Sequence, residues 1–465
     1  MGRAARARGG YTMSTPRVVV VGGGLAGITA ALRCADAGAA VTLLERRPWL
    51  GGATYSFRRD ALWVDNGQHV FLRCCTAYRG LLERLGVAGH TTMQDRLDIP
   101  VLTPRHRHAR LARNGLPAPF HLVSALARYR ILAPRERLAS ALAAHRLGRL
   151  DPDDPALDEV TFGEWLTANR QSRAAVEALW ELITLPTLNV RADEASLALA
   201  AMVFRTGLLT RTDAADIGYA HTPLGALHGE AAQRELQNAG ADVRCRARVT
   251  AIEPGHRAQR PIVAIGTARV AADAVILAVP HDAAADLLSR AAVPHASRLR
   301  LLGRSPIVNV HVVYDRPVTH LSFAAAVGTP VQWVFDRSEP SGLTSGQYLA
   351  VSLSAATDYL RVPSSRLRAE FIPALEALFP DARGARVTDF FVTREPAATF
   401  RQAAGHRAHR PGTRTEVGRL YLAGAWTDTG WPATMEGAVR SGLAAAEAAL
   451  TDLDGMARRP EEAVA

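Results

Sequence analysis

Lysine is missing from the sequence: all 55 basic residues among the 465 are arginine. That excludes every mechanism resting on a lysine amine, whether a Schiff base, a P-loop lysine or covalently held pyridoxal phosphate. Cysteine is scarce as well, with only Cys34, Cys74, Cys75 and Cys245. They form no C-x-x-C and no Cys/His spacing that suits zinc, so no metal centre is expected and a reducing cytoplasmic compartment follows. The longest apolar run, Val18 to Leu32, is broken by four glycines. A span of ~20 apolar residues is therefore lacking, and a membrane partner would be met at its surface. The N-terminus has arginines but no apolar stretch leading to a cleavage site, so residues 1–15 read as a loose, disordered extension.

Aromatic residues make up 6% of the chain, while apolar residues reach 48% and charged ones 21%, the balance of a globular protein. The net charge of +11 is local. Residues 101–150 hold ten arginines against one acid, Glu136, and a run from Asp151 to Glu164 follows with six acids and no base. A nucleic-acid groove would interleave such charge with stacking aromatics, and the stretch offers only Phe120 and Tyr129, so no nucleic-acid partner is expected.

What is present starts at Arg17, where four valines run into Gly22-Gly23-Gly24-Leu25-Ala26-Gly27 and an alanine-rich helix. This fits G-x-G-x-x-G: Gly22 permits the turn, Gly24 lets a pyrophosphate approach, and Gly27 lets the helix pack close. The helix N-terminus adds free N–H groups and partial positive charge. A second strand, Val41 to Leu44, delivers Glu45, 18 residues after Gly27, where a carboxylate accepts ribose hydroxyls. An acid there disfavours a 2′-phosphate and leaves NAD or FAD.

Further motifs decide between them. Arg46 and Arg47 precede Gly51-Gly52-Ala53, and Asp65-Asn66-Gly67-Gln68-His69 follows. Near the C-terminus, Leu420 to Leu422 run into Ala423-Gly424-Ala425-Trp426, then Thr434-Met435-Glu436-Gly437-Ala438 opens a helix. These segments resemble the paired signatures of FAD enzymes in the amine oxidase and phytoene desaturase superfamily. The resemblance implies noncovalent FAD, since no cysteine follows Cys245. It implies contacts to the cofactor from Gly67, Gln68, Val249, Gly424, Ala425, Thr434 and Met435. Ala425 stands where the family usually has an acid, and Asp428 is the nearest carboxylate to replace it.

The strings ERRPWLGGATYSF, DNGQHVFL and LAGAWTDTGWPATMEGAVRSG resemble one branch closely, the squalene-associated FAD-dependent desaturases that act as hydroxysqualene dehydroxylases in hopanoid biosynthesis. The implied reaction gives squalene and water from hydroxysqualene and reduced FAD. Carotenoid-type polyprenyl desaturation is the alternative, and amine oxidation the second. Thr434 stands where monoamine oxidases place an aromatic wall, and the supporting lysine of many amine oxidases cannot exist here. His69 is the expected proton donor, with Asp65 or Asp428 orienting it or holding FAD.

The expected fold is α/β: a Rossmann-like FAD-binding domain interleaved with an α+β substrate domain and a helical cap. The FAD-binding part is expected in 16–85, 240–280 and 411–450, the substrate and membrane-docking part in 86–239 and 281–410, and a disordered tail in 451–465. Helical rows at Leu122, Leu126 and Tyr129 and at Leu138, Ala141, Leu142 and Arg146 are predicted, with strands at Pro306 to Tyr314 and Gln347 to Leu353. The basic stretch is expected to dock on an anionic membrane, placing the enzyme on the inner face of the plasma membrane.

Overall fold

The computed structural model describes residues 15–104, 108–255, 259–291 and 293–457. Nearly all of the expected N-terminal extension, the last residues of the tail, and Arg105 and Arg107 of the basic stretch lie outside them.

β-branched side chains pack well on a pleated surface, and a strand buried on both faces needs an unbroken apolar run. Arg17–Val21 meets both conditions and becomes the central strand of a five-stranded parallel sheet. The order is Asp242–Arg244, Ala40–Leu44, Arg17–Val21, Ala274–Leu277, Leu420–Leu422. The first helix, Leu25–Asp36, and the C-terminal helix, Met435–Ala457, pack against each other beside this sheet. A methyl on Gly442 would lie 2.2 Å from the Ala26 carbonyl oxygen, so their crossing is a backbone-to-backbone approach.

A seven-stranded sheet forms the second layer, ordered Val387–Thr399, Ser305–Tyr314, Gln347–Ser354, Trp333–Asp336, Phe323–Ala326, Asp98–Leu102, Ala109–Ala112. One face buries Val308, Val310 and Val312 with Leu367, Phe371 and Leu375 of the helix Ser364–Leu378. A helical layer gathers around Phe162, Trp180 and Phe204, whose rings lie 5.2 to 5.8 Å apart. The hairpin Ser56–Arg59 with Leu62–Asp65 and the small sheet of Val70–Leu72, Ile217–Ala220 and Thr91–Met93 complete this part of the chain.

One expectation changes. The C-terminal helix continues seven residues beyond Leu450 into the expected disordered tail, because Leu450 and Leu453 pack on the core and Asp452 binds the Tyr421 hydroxyl (2.7 Å) and Arg414 (2.8 Å). The helix expected from Pro134 through Leu138, Ala141, Leu142 and Arg146 forms as Pro134–Leu147; Leu138, Ala141 and Leu142 face outward, while Ser140, Ala143 and Leu147 are buried. Among the described residues, no helix is long and apolar enough to cross a membrane.

Candidate active site

Glycine is required where a turn and its neighbours leave no room for a side chain. Gly22 has φ +109°, and a Cβ there would lie 2.3 Å from the Ala278 carbonyl oxygen. Gly27 is tighter still, with a Cβ 1.9 Å from the Gly22 carbonyl oxygen. Gly24, in extended conformation, caps the Leu25–Asp36 helix, so Leu25 and Ala26 open its first turn. The Gly51–Gly52 segment folds back over this turn: Gly51 N–H donates to the Gly23 carbonyl (2.8 Å), and a Cβ on Gly52 would meet the Gly24 Cα at 2.6 Å. Ala53 closes the turn through its carbonyl, which accepts from Asn66 Nδ2 (2.9 Å).

Glu45 is buried and accepts from the Gly23 N–H and the Arg47 N–H, both at 2.7 Å, one on each oxygen. A carboxylate has about four acceptor sites, so two remain for ribose hydroxyls. Arg47, rather than Arg46, holds the fold-back loop, donating to the Gly52 carbonyl (2.8 Å) with its guanidinium over the Tyr55 ring. Arg46 is exposed. Val249 packs on the core beside the first strand, two residues beyond Ala247, whose N–H donates to the Glu45 carbonyl.

The C-terminal signature meets the same place from the other side. Gly424, with φ +143°, receives the Trp426 indole so closely that a Cβ would lie 2.3 Å from its nitrogen. Thr434 caps the C-terminal helix, its hydroxyl accepting from the Gly437 N–H (3.2 Å), and Met435 is the first helical residue. Arg410, buried and missed by the sequence reading, binds the carbonyls of Thr427 (2.6 Å), Trp431 (2.8 Å) and Ala425 (3.3 Å) through one nitrogen. Burial pushes its pKa down to about 10, so it stays a cation at neutral pH. The loop at Ala425 is thus anchored by an arginine. Asp428 lies at its rim, accepting from Gly430 N–H (3.3 Å) and facing Arg407 at 3.5 Å, and it makes no hydrogen bond to His69.

Asp65 is occupied. One oxygen accepts from the Ser56 hydroxyl (2.5 Å) and Leu224 N–H (3.0 Å), and the other from Arg337 (2.6 Å). It anchors the hairpin instead of orienting His69. His69 holds its Nδ1 3.1 Å from the Gly67 carbonyl, which can only accept, so Nδ1 carries the hydrogen and Nε2 is left open. Burial holds its pKa below the usual imidazole value, with the Gly67 hydrogen bond opposing. His228 bonds through Nε2 to the Tyr78 hydroxyl (2.8 Å) and is pushed down to about 3 by burial, with the nearby His69 adding to that effect. Glu436 accepts from the Ala77 and Tyr78 N–H groups, tying the C-terminal helix to the helix Thr76–Arg84.

The residues fit FAD. The glycine turn has no side chain to block a pyrophosphate, Glu45 keeps free acceptor sites, and the buried Gln68 Nε2 is a donor with no partner among the described residues. Among the described residues, no His, Cys, Asp and Glu cluster suits a metal.

A dinucleotide turn, a fold-back glycine loop and a C-terminal signature closing on one nucleotide site define an FAD-dependent oxidoreductase. The model of the family "Flavin containing amine oxidoreductase" matches residues 25–450. The chain is 30% identical to a hydroxysqualene dehydroxylase of Rhodopseudomonas palustris, over 93% of this chain and 98% of that one. A zeta-carotene desaturase of Synechocystis is 24% identical over 94% of this chain and 97% of its own. Among solved structures, cyclohexylamine oxidase from Brevibacterium oxydans superposes with a TM-score of 0.68 at 20% identity, covering 95% of this chain and all of that one. The chain belongs to the flavin containing amine oxidoreductases and, within them, to the hydroxysqualene dehydroxylases.

Proposed function

We propose that the protein reduces hydroxysqualene to squalene, with loss of the hydroxyl as water, in hopanoid (triterpenoid) biosynthesis. The observation that carries this reading is the match to a hydroxysqualene dehydroxylase along nearly the whole of both chains. Bound FAD in its reduced form supplies the hydride that replaces the hydroxyl. The chain supplies the rest. Glu45, the glycine turn and the fold-back loop hold the adenosine and pyrophosphate, while the loop braced by Arg410 and the helix opened by Thr434 and Met435 enclose the flavin end. His69, with Nδ1 fixed on the Gly67 carbonyl, holds at Nε2 the proton that leaves with the hydroxyl. Burial of this ring favours its neutral form, so the donor is poised to lose its proton. The parallel sheet carries the cofactor, and the seven-stranded sheet with its helices carries the long isoprenoid chain. The enzyme works on the cytoplasmic side of the membrane and takes its substrate from an anionic membrane surface.

A neutral His69 with an open Nε2 also suits proton removal, which favours a polyprenyl desaturase as the second reading. Purified protein with reduced FAD, incubated with hydroxysqualene and, with oxidised FAD, with phytoene, separates the two. Squalene formation is the expected result, and desaturated phytoene without squalene refutes the reading.

A further inference from the structure

Large apolar side chains at the surface carry information only when they cluster. Nine are exposed among the described residues, and five of them, Leu116, Phe120, Val123, Leu138 and Leu142, fall between positions 116 and 142. All five are 53% to 64% exposed. They belong to adjoining elements. The loop 114–121 is closed by the Asn114 N–H on the His121 carbonyl (2.9 Å) and pinned to the next helix by Asn114 Nδ2 on Ser124 (3.1 Å). Arg137, in the helix that presents Leu138 and Leu142, donates to the Ala127 carbonyl and joins that helix to Val123–Arg128.

The charge around this surface sorts into two groups. Arg110 is taken up by Asp98, Arg113 by Asp216 (2.6 Å), and Arg146 by Asn169 (2.9 Å). Arg128, Arg130 and Arg135 are exposed, and their side chains make no ion pair or hydrogen bond among the described residues. The acidic run that follows does not neutralise them. Asp151 faces Arg205 (4.0 Å), Asp153 faces Arg407 (3.9 Å), Asp158 holds Ser196 (2.5 Å), and Glu164 caps its own helix on Thr161.

We propose that Leu116, Phe120, Val123, Leu138 and Leu142 enter the acyl region of an anionic lipid bilayer, with Arg128, Arg130 and Arg135 on the head groups beside them. The inference rests on the reading of an isoprenoid substrate, which dissolves in that bilayer. It assigns the attachment to insertion of this apolar surface, where charge alone would give a looser, salt-released association. The five side chains lie on a loop and two adjoining helices, in a chain without a spanning helix in its described residues.

The test is co-sedimentation of the full-length, FAD-loaded protein with vesicles of phosphatidylcholine and phosphatidylglycerol, against vesicles of phosphatidylcholine alone. The wild type partitions to the mixed vesicles and is only partly released by salt. A variant carrying Phe120→Ser, Leu138→Gln and Leu142→Gln loses at least about 100-fold in partition, on the order of tenfold for each side chain kept out of the bilayer. A variant carrying Arg128→Gln, Arg130→Gln and Arg135→Gln loses about 100-fold at low salt, roughly fivefold per charge. Both retain wild-type turnover of hydroxysqualene dispersed in detergent. Wild-type partition by the apolar variant, or complete release of the wild type by salt, overturns insertion. So does a wild-type dimer that the apolar variant converts to a monomer, because the surface then covers a second copy. Loss of detergent turnover in a folded apolar variant also overturns it. A wild type that binds vesicles yet makes no squalene in detergent refutes the dehydroxylase reading and leaves the docking surface standing.

Discussion

Gly442 in the C-terminal helix rests on the Ala26 carbonyl of the first helix, across a gap that admits no methyl group. The two halves of the cofactor site meet at this crossing, so its spacing sets how the C-terminal signature addresses the glycine turn. Gly442→Ala forces the helices apart. We expect a loss of about 1–3 kcal/mol, typical of overpacking. It is read as a lowered Tm, together with weaker retention of FAD on gel filtration. A variant with wild-type melting and flavin content refutes the account.

Asp65 is buried and its partner Arg337 nearly so, with side-chain exposures of 4% and 12%. Breaking a buried pair leaves an uncompensated charge, at a cost of about 3–5 kcal/mol. Asp65→Asn is therefore expected to melt early while any folded fraction turns over normally once FAD is bound. A stable Asp65→Asn protein that binds FAD and is inactive would return Asp65 to a chemical role.

His69 gives the reaction its pH dependence. Its pKa lies below the usual 6.5 through burial, and the proton donor is the charged form. Turnover is expected to rise as the pH falls toward that lowered value and to decline above it. His69→Gln should keep FAD and lose about 100-fold or more in kcat, the usual scale of general acid catalysis. A flat profile, or an active variant, removes His69 from the proton step.

Two of the fully buried histidines, His228 and His311, shape the acid side of the stability profile. Both are pushed down to about 3 by burial, from the usual 6.5 of an imidazole. Below pH 6.5 the unfolded chain takes up these protons and the folded one does not, so acid favours unfolding. Stability should fall as the pH drops from 6.5 toward 3, by about 1.4 kcal/mol per pH unit for each side chain. Tm measured between pH 7 and 5 tests this, and His228→Gln with His311→Gln should flatten the slope. An unchanged slope in the double variant assigns it to other groups.

The nucleotide turn was legible because its motif is local: Gly22, Gly24 and Gly27 fall within six residues, and Glu45 follows by one strand. Contacts between distant elements were not. Arg337 is 272 residues from Asp65, and Glu436 is 358 from the Tyr78 amide it accepts. Nothing in the sequence marks which arginine among 55 turns inward, so Arg410 went unremarked and the brace at Ala425 was sought among acids. The row at Leu138 and Leu142 was legible as helix but not in its direction, because the same period serves a face turned to core or to lipid.

The crossing at Gly442 also bears on how the chain is made. The first helix is nearly all buried, yet the helix that covers it, Met435–Ala457, and the strand that pairs with Ala274–Leu277, Leu420–Leu422, are made some 400 residues after it. For most of its synthesis the nascent chain carries a half-built sheet with one edge open and a greasy helix uncovered, the kind of species that aggregates. Truncation before Leu420 should therefore yield inclusion bodies or chaperone-bound chain instead of a soluble apo fragment. FAD can be captured only after the helix Met435–Ala457 has emerged.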